Sequence, residues 1–231
     1  MPRFRIEYSK EGPIAFISHL DLSKAWERAA RRAGLPVVLS QGFHPHYRIS
    51  FGSVLPVGVE GAREYLDLEL KEDFAPGALK KVLDEELPSG LVVRQVVPVN
   101  DQAASLMAGI NTAEYSFEVG LERDLTGEDL AERWRKMQGI EKWMVTRRNK
   151  KGEREIDVRP DLIKAELNLG EGKLYGILWL KLGHGGSARP PEVFKALEKY
   201  AGIPIDRERI SYRRTSLYVE RGGQWLSPLY I

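Results

Sequence analysis

Over residues 3–9 apolar and polar side chains alternate, with Phe4, Ile6 and Tyr8 on one side and Arg3, Arg5 and Glu7 on the other. That period of two predicts a half-buried strand. The pattern then becomes helical: Leu22, Ala25, Trp26, Ala29 and Ala33 recur behind Ser18 and Asp21, which have the spacing of an N-cap and its acidic partner. Gly34 and Pro36 end this helix. A second strand is expected over 37–40, a loop over 41–48, a short extended piece over 49–51 and an alternating strand over 65–70. Asp73 is placed to cap a helix over 76–86, which Pro88, Ser89 and Gly90 stop, and 91–97 reads as a β-branched strand. The order is βαββαβ.

Between 100 and 111 the periodicity lapses into small and polar residues. The same order then returns with an added hairpin. Tyr115, Phe117 and Val119 mark a strand, a helix is expected over 126–137, and strands follow over 142–146, 156–159, 163–169 and 174–182. Pro190 and Pro191 can open a helix, since proline is tolerated in a first turn, and a last strand runs over 210–219. The elements predict an α+β chain of tandem ferredoxin-like (βαββαβ) modules with antiparallel sheets, the second module carrying the added hairpin. The expected boundaries are an N-terminal module at 1–100, a linker at 101–111 and a C-terminal module at 112–231.

Composition narrows the chemistry. At 231 residues and 42% apolar the chain can bury a core, and its zero cysteines exclude disulfides, thiolate zinc sites, a cysteine nucleophile and Cys-ligated iron–sulfur clusters on its own sulfur. No cofactor or metal is assigned. Apolar runs such as 177–180 are far too short to span a bilayer, and the first residues open into a strand pattern, so a soluble cytoplasmic chain with no membrane partner is expected. The net charge of +2 hides a segregation: residues 1–48 carry +4, 49–130 carry −10 and 131–231 carry +8. Such a bipolar chain can steer an anionic partner.

Four segments are candidates for function. Residues 146–154 hold Arg147, Arg148, Lys150, Lys151 and Arg154 around a turn signal, a hairpin tip suited to phosphate. Arg213 and Arg214, with Tyr212 and Tyr218 interleaved, extend that track along the last strand with guanidinium forks and stacking faces. Gly185, Gly186 and Arg189 precede a helix start and offer an anion-binding turn. The loop holding Phe43, His44, His46, Tyr47 and Arg48, together with His19, is a candidate substrate or partner loop. Its histidines suit general-base work on a 2′-hydroxyl as well as plain capping and loop packing. No Walker, Gly-x-Ser-x-Gly, His-Glu-x-x-His or Gly-x-Gly-x-x-Gly pattern is present.

The segments Ile17-Ser18-His19-Leu20-Asp21-Leu22, Ser40-Gln41-Gly42-Phe43-His44-Pro45-His46, Ile49-Ser50-Phe51-Gly52 and Glu64-Tyr65 resemble the radical SAM-linked family. The likeness continues more loosely through Asp157-Val158-Arg159-Pro160, Arg189-Pro190 and Arg214-Thr215. Asn often stands in that family where this chain has His44. The resemblance implies a protein that works beside a radical SAM enzyme, with the radical chemistry on the partner. The leading expectation is therefore an RNA-binding accessory or substrate-presenting subunit, itself non-catalytic. Its rivals are a metal-independent endoribonuclease using His46 or His19 and a protein-only scaffold for the same partner.

Overall fold

A computed structural model describes residues 1–100, 102–149, 152–183 and 188–231. The chain is α+β, and it divides into two compact units, one made of 1–111 with 214–231 and the other of 112–213.

The first unit begins with β1 (Arg3–Lys10), a 3-10 turn (Gly12–Phe16), α1 (His19–Arg32), β2 (Ile49–Phe51), β3 (Gly61–Glu69), α2 (Pro76–Glu86), β4 (Leu91–Val99) and α3 (Leu106–Gly109). β1 lies antiparallel between β4 and β3, and β2 pairs antiparallel with the other edge of β3, giving the order β4-β1-β3-β2. Phe4, Ile6 and Tyr8 point from β1 into a core shared with Leu22 and Trp26 of α1 and Leu79 and Leu83 of α2. Ser18 caps α1 as its spacing predicts, accepting from the Asp21 N–H at 3.1 Å. The α2 cap differs from expectation: Ala75 holds the position, and the Asp73 carboxylate accepts from Phe74 N–H instead. Residues 37–40 make no strand. Val37 and Leu39 form isolated bridges to Leu70 and Tyr47, because this stretch meets a different neighbour at each step rather than one continuous partner.

The second unit runs through β5 (Thr112–Leu121), α4 (Gly127–Gln138), β6 (Met144–Asn149), β7 (Gly152–Asp157), β8 (Leu162–Gly170), β9 (Lys173–Lys181), α5 (Pro190–Ala201) and the first part of β10 (Ile205–Arg221). Its sheet has the order β10-β5-β9-β8, and β6 pairs with β7 as a separate hairpin inserted after α4. Counted within each unit, the four main strands take the order 4-1-3-2. Phe117 and Phe194 meet at 5.2 Å in its core, where α5 buries Val193, Phe194 and Leu197. Gly202 ends α5 in the left-handed conformation, φ 61°, which a residue without Cβ adopts at little cost.

The second unit begins at the expected residue 112, and the differences lie at its C-terminal end and in the linker. β10 is 17 residues long, and from Arg214 onward it belongs to the first unit, where Arg214 pairs in parallel with Gly61 of β3. β11 (Gln224–Leu226) folds back on it, followed by a 3-10 turn (Pro228–Tyr230). The stretch read as a linker is also built in: Leu106 and Ile110 are buried and lie against Gly52, where an added Cβ would come within 2.8 Å of Ile110. Small residues there serve close packing, which sequence reading takes for flexibility.

Candidate functional site

Two of the arginines expected to hold phosphate are buried. Arg214 is 1% exposed, its Nε and Nη2 donating to the Glu64 carboxylate at 2.8 and 2.6 Å and its remaining donors reaching Ser53 O, Ser53 Oγ and Val54 O. All five N–H groups of the guanidinium are engaged. Arg147 donates through Nε and Nη2 to Glu192, each at 2.5 Å, and those bonds raise its hold on its proton. Neither side chain faces solvent, so both are removed from the phosphate track. Arg148 is exposed and paired with Glu153 at 2.6 Å, Arg154 and Arg213 are exposed, and Lys150 and Lys151 lie outside the described residues. Tyr212 is no open stacking face either. It packs edge-on against Tyr115 and Phe194, and burial pushes its hydroxyl pKa up.

At the start of α5 the two described N–H groups after the glycine turn are already engaged. The N–H of Arg189 donates to the Glu192 carboxylate at 2.8 Å and that of Ala188 to Asp161 at 2.6 Å, so the chain supplies its own anions to the helix N-terminus. The Arg189 side chain is exposed, and Gly185 and Gly186 lie outside the described residues.

A cationic groove does form in the second unit, between the exposed face of α5 and the β6–β7 hairpin. It has a volume of about 530 Å³ and is lined by Arg148, Lys195, Lys199 and Arg207 against Glu153 and Glu198, with Val145 and Thr146 at its wall. Lys195 and Lys199 stand one helical turn apart, so both fall on the face opposite Phe194 and Leu197. Their ammonium groups donate to Thr146 O at 3.1 Å and Met144 O at 2.8 Å, and the Tyr200 hydroxyl receives Met144 N–H at 2.9 Å. These side chains close the outer edge of β6, which would otherwise present unpaired backbone groups. Arg207 forks onto Glu198 at 3.0 and 3.2 Å. Each ammonium has three N–H donors and makes one hydrogen bond among the described residues, that of Lys199 also lying 5.1 Å over the Tyr200 ring, and the groove carries four cations to two carboxylates. Sequence reading missed Lys195 and Lys199. The i, i+4 lysine pair was visible, but only the fold opposes it to the hairpin.

In the first unit the quoted motifs around 17–22 and 49–52 come together, with the His19 ring edge-on to Phe51 at 5.0 Å between centroids. Ser40 and His46 close the intervening loop by two bonds, Ser40 N–H to His46 O at 2.8 Å and His46 N–H to Ser40 Oγ at 3.0 Å. Phe43, His44 and His46 are exposed, Tyr47 is half-buried, and Arg48 pairs with Glu69 at 2.8 Å. Among the described residues no three His, Asp or Glu side chains converge as a metal site, and no helix is long and apolar enough to cross a membrane. His19 is thus engaged by an aromatic ring and Arg48 by a carboxylate.

Beneath this surface lies a buried polar network. Lys10 Nζ donates to Ala15 O at 3.0 Å and Ile17 O at 3.4 Å; burial lowers its pKa, Glu64 opposes that, and Arg214 adds to it. Tyr8 beside them is pushed well above its ordinary value by burial and by Glu64.

No curated protein matches the chain. Among solved structures it is similar to a chain in the crystal structure of a Cbf5-Nop10-Gar1 complex, with 13% identity and a TM-score of 0.51 over 93% of this chain and 48% of that one. At that identity the likeness is one of fold, and it spans about half of the neighbour's length. The family description that fits is "Uncharacterized protein conserved in bacteria" (DUF2344), which matches residues 3–190, and the chain belongs to that family.

Proposed function

We propose that this protein is an RNA-binding accessory subunit that presents RNA to a radical SAM enzyme, holding the RNA backbone in the groove between α5 and the β6–β7 hairpin. The observation that carries the reading is the pair Lys195 and Lys199, whose ammonium groups sit in a groove with net positive lining and donors to spare. Phosphates entering there displace counterions and meet charge-assisted donors, which gives affinity without base readout. The exposed Arg154 and Arg213 add to the positive field of the unit. The radical SAM partner rests on the family resemblance alone. The absence of cysteine is compatible with it, since any Cys-ligated cluster then sits on the partner.

The test is filter binding of the full chain to a short single-stranded RNA across a salt series. Lys195→Gln with Lys199→Gln keeps an amide donor for each β6 carbonyl and removes both charges. The expected result is at least a tenfold loss of affinity at low salt and a salt slope smaller by about 1.4, from about 0.7 per phosphate contact. No RNA affinity in the parent chain, or equal affinity and slope in the variant, overturns the proposal. For the partner, co-expression with a radical SAM enzyme and co-purification is expected to recover a complex that contains RNA, and a complex free of RNA contradicts the presenting role.

A further inference from the structure

The first unit turns an unusual set of side chains to solvent. Phe16 is 71% exposed, Leu20 64%, Val54 52% and Val57 59%. Single exposed apolar residues are ordinary, but these four belong to two segments that touch. Gly58 N–H donates to Ala15 O at 2.9 Å, a Cβ at Gly58 would lie 3.5 Å from the Phe16 ring, and His19, immediately before Leu20, meets Phe51. Residues 12–20 and 51–58 therefore make one surface.

Both segments are held from below by buried charge. Lys10 grips the carbonyls of Ala15 and Ile17, and Arg214, locked on Glu64, grips those of Ser53 and Val54. Burying three charged groups is costly, and replacing them with apolar residues is often neutral or stabilising. Here the network fixes two backbones that present apolar side chains outward. An apolar surface held in one shape lowers the ordering cost of binding a complementary solid surface.

The charge beside this surface identifies the occupant. Lys24, Arg28 and Arg31 follow Leu20 along α1 at helical spacing, all three exposed and, among the described residues, none within ion-pair distance of a carboxylate. The nearby acids are otherwise engaged: Asp21 with Ser18, and Glu60 with Gly12 N–H at 2.8 Å, while Glu27 is half-buried. From Leu20 to Arg31 the stripe is about 16 Å long at 1.5 Å per residue, some three turns of a facing helix. We infer that this face of the first unit binds an acidic amphipathic segment of a partner protein, its apolar residues against Phe16, Leu20, Val54 and Val57 and its carboxylates along Lys24, Arg28 and Arg31. Of the four apolar residues Phe16 alone is aromatic, so the face offers one ring rather than the run of stacking platforms that a single-stranded RNA track uses. A bilayer surface has no use for side chains pinned in one arrangement.

The inference is independent of the RNA groove, and its test keeps the two separate. Random 16-residue peptides displayed on phage are selected against the full chain, and enriched peptides are then synthesised and titrated. Enriched sequences are expected to pair two apolar residues within one turn with Asp or Glu at three- and four-residue spacing. Leu20→Ser and Phe16→Ser each weaken these peptides at least tenfold, and the triple variant Lys24→Gln, Arg28→Gln, Arg31→Gln weakens them and flattens their salt dependence. Lys195→Gln with Lys199→Gln leaves them unchanged. Hydrogen exchange on the peptide complex is expected to slow in 14–20 and 53–58, and circular dichroism confirms that each variant stays folded. Failure to enrich, enrichment of neutral or basic peptides, or binding insensitive to these substitutions overturns the inference. So does tighter binding of phosphatidylglycerol vesicles or of a short RNA through the same residues.

Discussion

Both units carry paired arginines at the surface, but they differ in how much they entrust to buried ones. In the first, Arg5 and Arg214 are sealed inside: Arg5, 0% exposed, forks onto Asp67 and ties the backbone at Ala104, Pro228 and Ile231, while Arg214 forks onto Glu64 and ties Ser53 and Val54. In the second, Arg147 alone among the described residues is sealed in this way, and Arg148, Arg207 and Arg209 pair with carboxylates at the surface, where the groove lining remains cationic. A guanidinium with five fixed donors is well suited to tying distant backbone segments together, and the same group at a surface is well suited to a phosphate. The count of basic residues is therefore a poor guide to where an anion binds. What matters is which cations the fold has already engaged.

Breaking the buried pairs tests this contrast most severely. Glu64→Gln leaves the Arg214 charge buried without its counter-ion, and the expected loss is about 3–5 kcal/mol. Urea unfolding reads it as a lower midpoint. Glu153→Gln, which breaks the exposed pair with Arg148, is expected to cost no more than about 1 kcal/mol. If the two substitutions cost the same, the division between structural and available arginines fails. Replacing both partners, Glu64→Leu with Arg214→Met, removes the uncompensated charge and is expected to recover part of the Glu64→Gln loss. It also releases Ser53 and Val54, so it provides a second way to disturb the apolar surface above.

Much of the fold was legible because its signals are local. The alternation at Phe4, Ile6 and Tyr8, the Ser18–Asp21 cap and the Pro190 helix start all depend on residues within a turn of each other. The hairpin was legible too, although its two strands begin and end a few residues away from where periodicity puts them. The site was far less so. Arg213 and Arg214 are neighbours on a strand and point to opposite faces; the sequence does not say that Glu64, 150 positions earlier, waits on one of them. Arg147 meets Glu192 across 45 positions in the same way. Long-range ion pairs carry no periodicity, so the exposed subset of cations is decided by the fold alone.

Tyrosine titration sharpens the comparison at smaller amplitude. Burial raises the pKa of Tyr8, Tyr65 and Tyr212 above the ordinary 10.0; Tyr65 is pushed further by Glu7, which accepts its hydroxyl at 2.8 Å. Above pH 10 the unfolded chain loses these protons while the folded chain keeps them, so their contribution is complete below 10 and falls as pH rises, by up to about 1.4 kcal/mol per pH unit for each fully buried group. Lys10 acts in the other direction: its folded pKa is lowered from 10.5, so the cost of keeping it charged is relieved as pH rises through that lowered value. Tyr8 and Tyr65 both belong to the first unit. Tyr65→Phe is therefore expected to make the alkaline loss of stability visibly shallower, and Tyr212→Phe, at a half-buried position in the second unit, to change it less. Equal effects from the two would erase the difference in burial between the units.

The smallest effect belongs to a feature the second unit shares with any well-capped helix. Thr126 Oγ1 accepts from Asp129 N–H at 3.1 Å and donates to the Asp129 carboxylate at 2.7 Å, while Thr126 N–H reaches the same carboxylate at 3.3 Å. These bonds from Thr126 hold the Asp129 pKa below its ordinary 3.8. A lowered carboxyl pKa contributes stability above the ordinary value and loses it as pH falls through the folded one. Thr126→Ala removes the hydroxyl and is expected to cost about 1 kcal/mol at neutral pH. In acid, below pH 3.8, the difference between parent and variant narrows as Asp129 takes up its proton in both. Thermal unfolding at the two pH values reads the change, and a difference that stays constant into acid would separate the cap from the carboxylate. Because neither Thr126 nor Asp129 lines the groove between α5 and the hairpin, the same variant is expected to bind RNA as the parent does. That result would show that a modest loss of stability in the second unit does not by itself weaken the proposed phosphate contacts.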